Sequence, residues 1–276
     1  MLEQLIYKNH RNKEFEFGKD GIYVNTNDLH DYEWSVTSKG NRIANLSRKV
    51  SKRTLPVYIL CEDEEKGLDA RNRLLEVCEE DVLALEHGQI IIGDYYFKCF
   101  VTKSSKTDYQ AHKGYMALKL TLTTDFPYWV KENLCPFRRT TNSSGTSENG
   151  LDYPFDYDFD YLSDISSTEI NNEDFVPSNF KMIIYGACSN PSIIINNHTY
   201  QVNCEVNAGE YLVIDSTTKK IYVVEKDGTI TNQFNNRNKT SYVFEKIPSG
   251  INEVTWVGDF SFDIILMEER SEPRWT

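Results

Sequence analysis

Only one window of this sequence has the apolar spacing of a long helix, and that limits the fold more than any other feature. Between Asp63 and His87, Leu68, Leu75, Cys78 and Val82 recur near helical spacing, with Leu74 and Leu85 widening the stripe and Gly88 placed to cap the end. The helix is amphipathic and is expected to lie on a sheet. The rest of the chain breaks into strand-length runs, so the expected class is mainly β.

In the first half, Leu2–Tyr7, Glu14–Phe17 and Tyr32–Val36 are short strand candidates. Thr54–Leu60 is rich in β-formers, but Pro56 points to an edge strand or a bulge. Ile90–Val101 is two apolar runs split by Gly93-Asp94, which suits a II′ hairpin turn. In Tyr115–Thr124, Met116, Leu118, Leu120 and Leu122 share one face of an antiparallel strand.

Beyond residue 175 the strand candidates are Phe180–Tyr185, Ser192–Ile195, Thr199–Val206, Tyr211–Asp215, Lys220–Glu225, Ser241–Glu245, Asn252–Trp256 and Ser261–Met267. Turn residues separate them, no helical window intervenes, and the pattern indicates a β-sandwich. Between the halves, Thr140–Gly150 reads as a small polar linker. Leu151–Phe175 follows with eight acids and no Lys or Arg, so most of the chain's net charge of −12 is local. The expected division is residues 1–139, a 140–175 linker, and 176–276.

Within that linker, Tyr153, Phe155, Tyr157, Phe159 and Tyr161 alternate with aspartates. Alternation places the rings on one side of an extended chain and the carboxylates on the other. Docking of the rings on a neighbouring domain is the expectation. The composition resembles a calcium loop but lacks its glycine turn and distal Glu.

Several chemistries find no motif. The cysteines (Cys61, Cys78, Cys99, Cys135, Cys188, Cys204) form no CxxC pair and read as free, buried thiols. The histidines form no HxxxH or HExxH, and nucleophile-elbow, P-loop and dinucleotide signatures are missing. Catalytic, cofactor and metal residues are therefore expected to be none. No apolar run approaches the roughly 20 residues of a membrane span, and charges among the first residues argue against a secretory signal. The acidic balance disfavours a phosphate-gripping nucleic-acid binder. Lys39–Arg53 is basic and free of acids, but without interleaved aromatics it reads as a solvated loop or a subunit contact.

One pattern spans nearly the whole chain. Asp125-Phe126-Pro127-Tyr128-Trp129 closes the first half, and Gly150–Tyr161 reads GLDYPFDYDFDY. Further on come Tyr185-Gly186, Asn190-Pro191, Gly209-Glu210-Tyr211, Ile214-Asp215-Ser216 and Ile247–Asn252, and the tail Glu269–Trp275. Together these resemble the distal tail (Dit) proteins of long-tailed phages and related prophage tail modules. The resemblance implies a tail-tube-like split β-barrel with one helix, followed by a galectin- or carbohydrate-module-like sandwich. It also implies a homo-hexameric ring in the virion tail. That ring would join the tail-tube protein to the tail-tip or tail-associated lysin protein, support receptor-binding or baseplate proteins, and leave a channel for DNA. No enzymatic activity, specific nucleic-acid binding or membrane contact is implied. A lectin-like role for the sandwich, with Trp256, Tyr222 or Phe234 stacking on sugar and the Asn232–Asn238 run bonding it, is the alternative.

Exposed polar segments are nicked first. Limited proteolysis is expected to cut within Thr140–Gly150 and release two fragments that both retain β-type circular dichroism; cuts scattered through Phe180–Met267 would refute the two-domain reading.

Overall fold

The computed structural model describes residues 4–19, 21–25, 27–108, 114–138 and 168–274. The chain divides into two compact units, Met1–Lys131 with Glu269–Thr276, and Glu132–Glu268. The second unit thus begins at Glu132, and the C-terminal tail belongs to the first.

The first unit contains β1 (Leu5–Lys8), β2 (Glu14–Phe17), β3 (Ile22–Val24), β4 (Ser35–Lys39), β5 (Arg42–Ser47), β6 (Ser51–Leu60), α1 (Glu64–Ala84), β7 (Gly88–Ile92), β8 (Tyr95–Asp108), β9 (Tyr115–Thr124) and the start of β10 (Trp129–Phe137). The long strand β8 serves two sheets. Its first residues pair with β7 and β10, and from Phe100 onward it pairs with β9. A register shift between Val101 and Lys103 marks the change, as bulges do where strands bend. One sheet runs β2-β1-β7-β8-β10 and the other β8-β9-β6-β3, which is a split barrel. Inward residues of both, among them Tyr7, Phe15, Leu55, Val57, Ile90, Phe97, Leu118 and Leu120, form one core.

The Gly93-Asp94 turn joins β7 and β8 with Ile92 opposite Tyr95, and only Gly93 has a positive φ, +55°, as a II′ turn requires. β6 is not an edge strand, contrary to the inference from Pro56: it lies between β3 and β9. Proline is tolerated because β3 pairs only as far as Val57, and the Pro56 carbonyl accepts the Asn25 N–H at 3.2 Å just beyond that point. The strand expected at Tyr32–Val36 begins instead at Ser35.

The helix forms where the spacing placed it but buries a different face. Asp63 caps it by accepting the Lys66 N–H at 2.7 Å, a bond that also lowers the Asp63 carboxyl pKa. The buried residues are Gly67, Ala70, Leu74, Val77, Cys78 and Asp81, while Leu68 and Leu75 of the expected stripe stay exposed. Asp81 explains the rotation. Its carboxylate is fully buried, accepts the Tyr7 hydroxyl at 2.6 Å and the His10 N–H at 2.9 Å, and meets His10 Nδ1 at 2.6 Å. Burial, more than this bond, pushes the Tyr7 pKa upward. Gly88 is not the helix cap. Leu85 takes the left-handed conformation at φ 55°, with the Glu86 N–H returning to the Asp81 carbonyl at 3.1 Å. Gly88 is needed elsewhere: a Cβ on it would stand 2.2 Å from Asp81 Oδ2 and 2.4 Å from the Tyr7 hydroxyl.

The second unit contains β11 (Glu169–Asn172), β12 (Asn179–Tyr185), β13 (Cys188–Ser189), β14 (Ser192–Ile195), β15 (His198–Gln201), β16 (Glu205–Val206), β17 (Tyr211–Asp215), β18 (Lys220–Val224), β19 (Ile230–Asn232), β20 (Gly250–Trp256) and β21 (Phe262–Arg270), which ends in the first unit. One sheet runs β19-β18-β17-β12-β21-β10, with β10 entering this unit at Glu132; the other runs β11-β20-β14-β15. Register stacks Ile221, Ile214, Met182 and Ile264 across the first sheet. Their core also takes in Ile170, Ile193, Ile195, Tyr200 and Val254 from the second, as a sandwich requires. Ser241–Glu245 is not a strand: it is a turn closed by the Glu245 N–H on the Tyr242 carbonyl, with Val243 and Phe244 both in the core. All six cysteines are free thiols. Burial raises Cys135, Cys188 and Cys204 each to about 11, which leaves them protonated and unreactive at neutral pH.

Replacing Asp81 with Ala strands the Tyr7 hydroxyl and a His10 donor in a buried site, and is expected to cost about 3 kcal/mol. Gly88→Ala is expected to destabilise through the same site. Urea denaturation of the variants against the parent measures both; midpoints within error of the parent would show that the carboxylate anchors nothing.

Candidate assembly surface

Among the described residues, those that carried the resemblance serve packing and hydrogen bonding. In the first unit they meet at Arg48. Its guanidinium donates to the Pro127 carbonyl and to Ser271 Oγ. It also lies over the rings of Trp34, Tyr128 and Tyr32 at 4.7, 4.8 and 5.5 Å. One side chain thus ties the entry to the β4–β5 hairpin, the Asp125–Trp129 motif and the C-terminal tail together. Burial pulls the Arg48 pKa down, opposed by Tyr128 and Tyr32. Asp125 meets His87 Nε2 at 2.8 Å, and Trp129 is fully buried, its Nε1 3.4 Å from the Leu29 carbonyl and its ring 5.3 Å from Phe97. Arg53 lies 4.5 Å over the other partner of that pair, Phe97, and burial lowers its pKa to about 10.

The basic stretch is therefore not uniformly solvated. Arg48 and Arg53 are drawn inward, while Lys39, Arg42, Lys49 and Lys52 remain exposed. Among the described residues, the β4–β5 hairpin that carries the first two pairs with no other strand.

In the second unit the motif residues hold turns. Asn172 donates to the Ile247 and Pro248 carbonyls at 3.0 and 3.1 Å, and Asn252 donates to those of Pro248 and Gly250 at 2.9 and 2.8 Å. Gly250 has φ +87°, which the Pro248-Ser249-Gly250 turn needs. Ser216, fully buried, accepts the Phe180 N–H at 2.7 Å and donates to Asn179. Asp263 accepts from Arg138 Nη1 and from the Tyr185 hydroxyl, each at 2.6 Å. Sequence reading missed Asn172, Arg138 and Asp263, because nothing local announces partners 75 to 125 residues away.

Of the residues considered for sugar stacking, Trp256 and Phe234 are engaged within the unit, and Tyr222 stands half-buried on β18. Trp256 packs edge-on against Phe262 at 5.0 Å and donates Nε1 to the Phe260 carbonyl at 3.2 Å. Phe234 stacks on Phe244 at 6.0 Å and is covered by Arg237 at 3.9 Å. Within the Asn232–Asn238 run, Asn232, Asn236 and Asn238 bond to neighbouring turn residues or to Gln201. Tyr153, Phe155, Tyr157, Phe159 and Tyr161 lie outside the described residues. Among the described residues no three His, Cys, Asp or Glu side chains come together to hold a metal, and no helix is long and apolar enough to cross a membrane.

No protein-family model matches the chain, and no curated protein sequence matches it. Comparison of folds does find partners: the architecture is that of phage baseplate and distal-tail hub proteins. A chain of the phage P2 baseplate in its activated conformation with calcium superposes with a TM-score of 0.65 at 12% identity, covering 99% of this chain and 100% of that one. The strontium form of the same baseplate gives 0.64 at 13% identity with the same coverage. The Dit protein of phage SPP1, described as a paradigm of the hub adsorption apparatus in phages that infect Gram-positive bacteria, gives 0.57 at 10% identity over 98% and 99% of the two chains.

Arg48→Ala removes three cation–π contacts and two hydrogen bonds from one half-buried site. It is expected to cost about 2–3 kcal/mol, and Arg48→Lys should recover only part of this because a lysine cannot present the planar fork. Thermal unfolding of the two variants checks the order parent, Lys, Ala.

Proposed function

We propose that this protein is a structural hub of a phage-type tail baseplate. Six copies close into a ring that joins the tail tube to the tail-tip or tail-associated lysin protein, carries receptor-binding components and leaves a central channel for DNA. The observation that carries this reading is the shared fold over 98–99% of the chain, through both units, with a P2 baseplate chain and SPP1 Dit.

Physical chemistry supports it. A split barrel ends in strands with open edges, here β2 and β3, and an open edge invites pairing or cover. A head-to-tail contact between identical copies closes into a ring when the rotation permits. The net charge of −12 suits a conduit that must not hold phosphates. The motif residues serve turns, latches and cores, and chemistry is assigned to none of them. The aromatic strip Tyr153–Tyr161 is proposed to pack between domains, and the virion tail is the proposed location.

Light scattering at micromolar concentration is expected to give six times 32.0 kDa, or twelve times if two rings stack, and negative-stain images should show rings with a central hole. Rings of another order, or hydrolysis of purified peptidoglycan, would refute the assignment.

A further inference from the structure

The β4–β5 hairpin is amphipathic, and its apolar face is bare. Register puts Val36 opposite Leu46 and Ser38 opposite Ile43, and directly opposed residues share a face. Val36, Ile43 and Leu46 are 58%, 66% and 51% exposed. Among the described residues the hairpin pairs with no other strand, and an isolated two-stranded hairpin is marginal in water unless its apolar face is covered. Its tip residues Lys39 and Arg42 are exposed, and no acid occurs from Lys39 to Arg53.

The same unit presents a surface of opposite character. Because Asp81 fixes which side of α1 faces the barrel, Leu68, Asn72, Leu75, Glu79 and Leu83 recur at three- and four-residue steps along its outer side. Leu75 is 55% and Leu83 80% exposed; Glu65, Glu76 and Glu79 lie among and to one side of them, while the half-buried Arg71, which donates to the Tyr115 carbonyl at 2.7 Å, borders the other side. One surface is apolar with a basic tip and the other apolar with an acidic flank.

We propose that the β4–β5 hairpin of one copy docks on the outer face of α1 of the next, with Val36, Ile43 and Leu46 against Leu68, Leu75 and Leu83, and Lys39 and Arg42 toward Glu76 and Glu79. The proposal rests on the ring reading above and deepens it by naming the two surfaces that meet. Two different patches on each copy make the contact heterologous, the type that propagates around a ring. Burial of the six apolar side chains drives the association, and the charges select register and orientation. The contact also leaves the inward residues of both barrel sheets undisturbed, since hairpin and helix face present only side chains that the core does not use.

Sedimentation of the full-length protein tests this with Lys39→Glu/Arg42→Glu, with Glu76→Lys/Glu79→Lys, and with all four changes in one chain. Each pair is expected to weaken assembly by at least about tenfold through like-charge contact, and the four together to restore it, with circular dichroism unchanged throughout. Mixing Ile43→Cys protein with Leu75→Cys protein under mild oxidation is expected to give a linked dimer that neither variant nor the parent gives alone. An assembled parent whose mass none of the charge variants alters, with no mixed link, overturns the docking and leaves the ring standing. A parent that stays at 32.0 kDa at every concentration counts against the ring, and the mixed link then decides the docking by itself. Ile43→Cys protein linking only to itself overturns the proposal in favour of a hairpin-to-hairpin contact.

Discussion

The buried carboxylate of Asp81 sets the geometry of the first unit. Its contacts with Tyr7 and His10 hold α1 against the end of β1 and the turn that follows, and Gly88 leaves the space they need. A helix whose inward side otherwise offers Gly67, Ala70, Leu74, Val77 and Cys78 has modest apolar area to dock with. A buried carboxylate that accepts several hydrogen bonds is costly to disturb. It therefore outweighs the leucines in deciding which side turns inward, and in doing so it leaves Leu68, Leu75 and Leu83 on the outside.

In the proposed ring, that outcome links stability to assembly: those leucines and the apolar face of the β4–β5 hairpin are kept for a neighbouring copy. Arg48 works in the same direction, because it fixes the base of the hairpin to the Asp125–Trp129 motif and to Ser271 while the tip stays uncommitted. The long strand β8 contributes differently. By passing from one sheet to the other at its bulge, it closes the barrel core without any residue being spent on a connecting loop. In the second unit the equivalent economy lies in Asn172, Asn252 and Ser216, whose side chains satisfy backbone groups at the ends of strands.

The sequence by itself determined the class of the fold, the position of its one long helix, and strands such as Tyr115–Thr124, Ser192–Ile195 and Tyr211–Asp215, because alternation and turn residues act within a few positions of one another. It also carried the resemblance to distal tail proteins, through motif residues read directly from the sequence, although several of them, such as Trp129, Tyr185 and Ser271, bond to distant parts of the chain. Only the tertiary structure decided which face of α1 is buried, why Pro56 sits in a strand with partners on both sides, where Gly88 is needed, and that Ser241–Glu245 turns instead of pairing. Each of these depends on a partner far along the chain: Tyr7 for Asp81, Asn25 for Pro56, Asp81 for Gly88, the sandwich core for Val243 and Phe244. Local propensity is weaker than one buried hydrogen-bonded charge or one filled core position, so such positions are settled by contacts that spacing alone does not reveal.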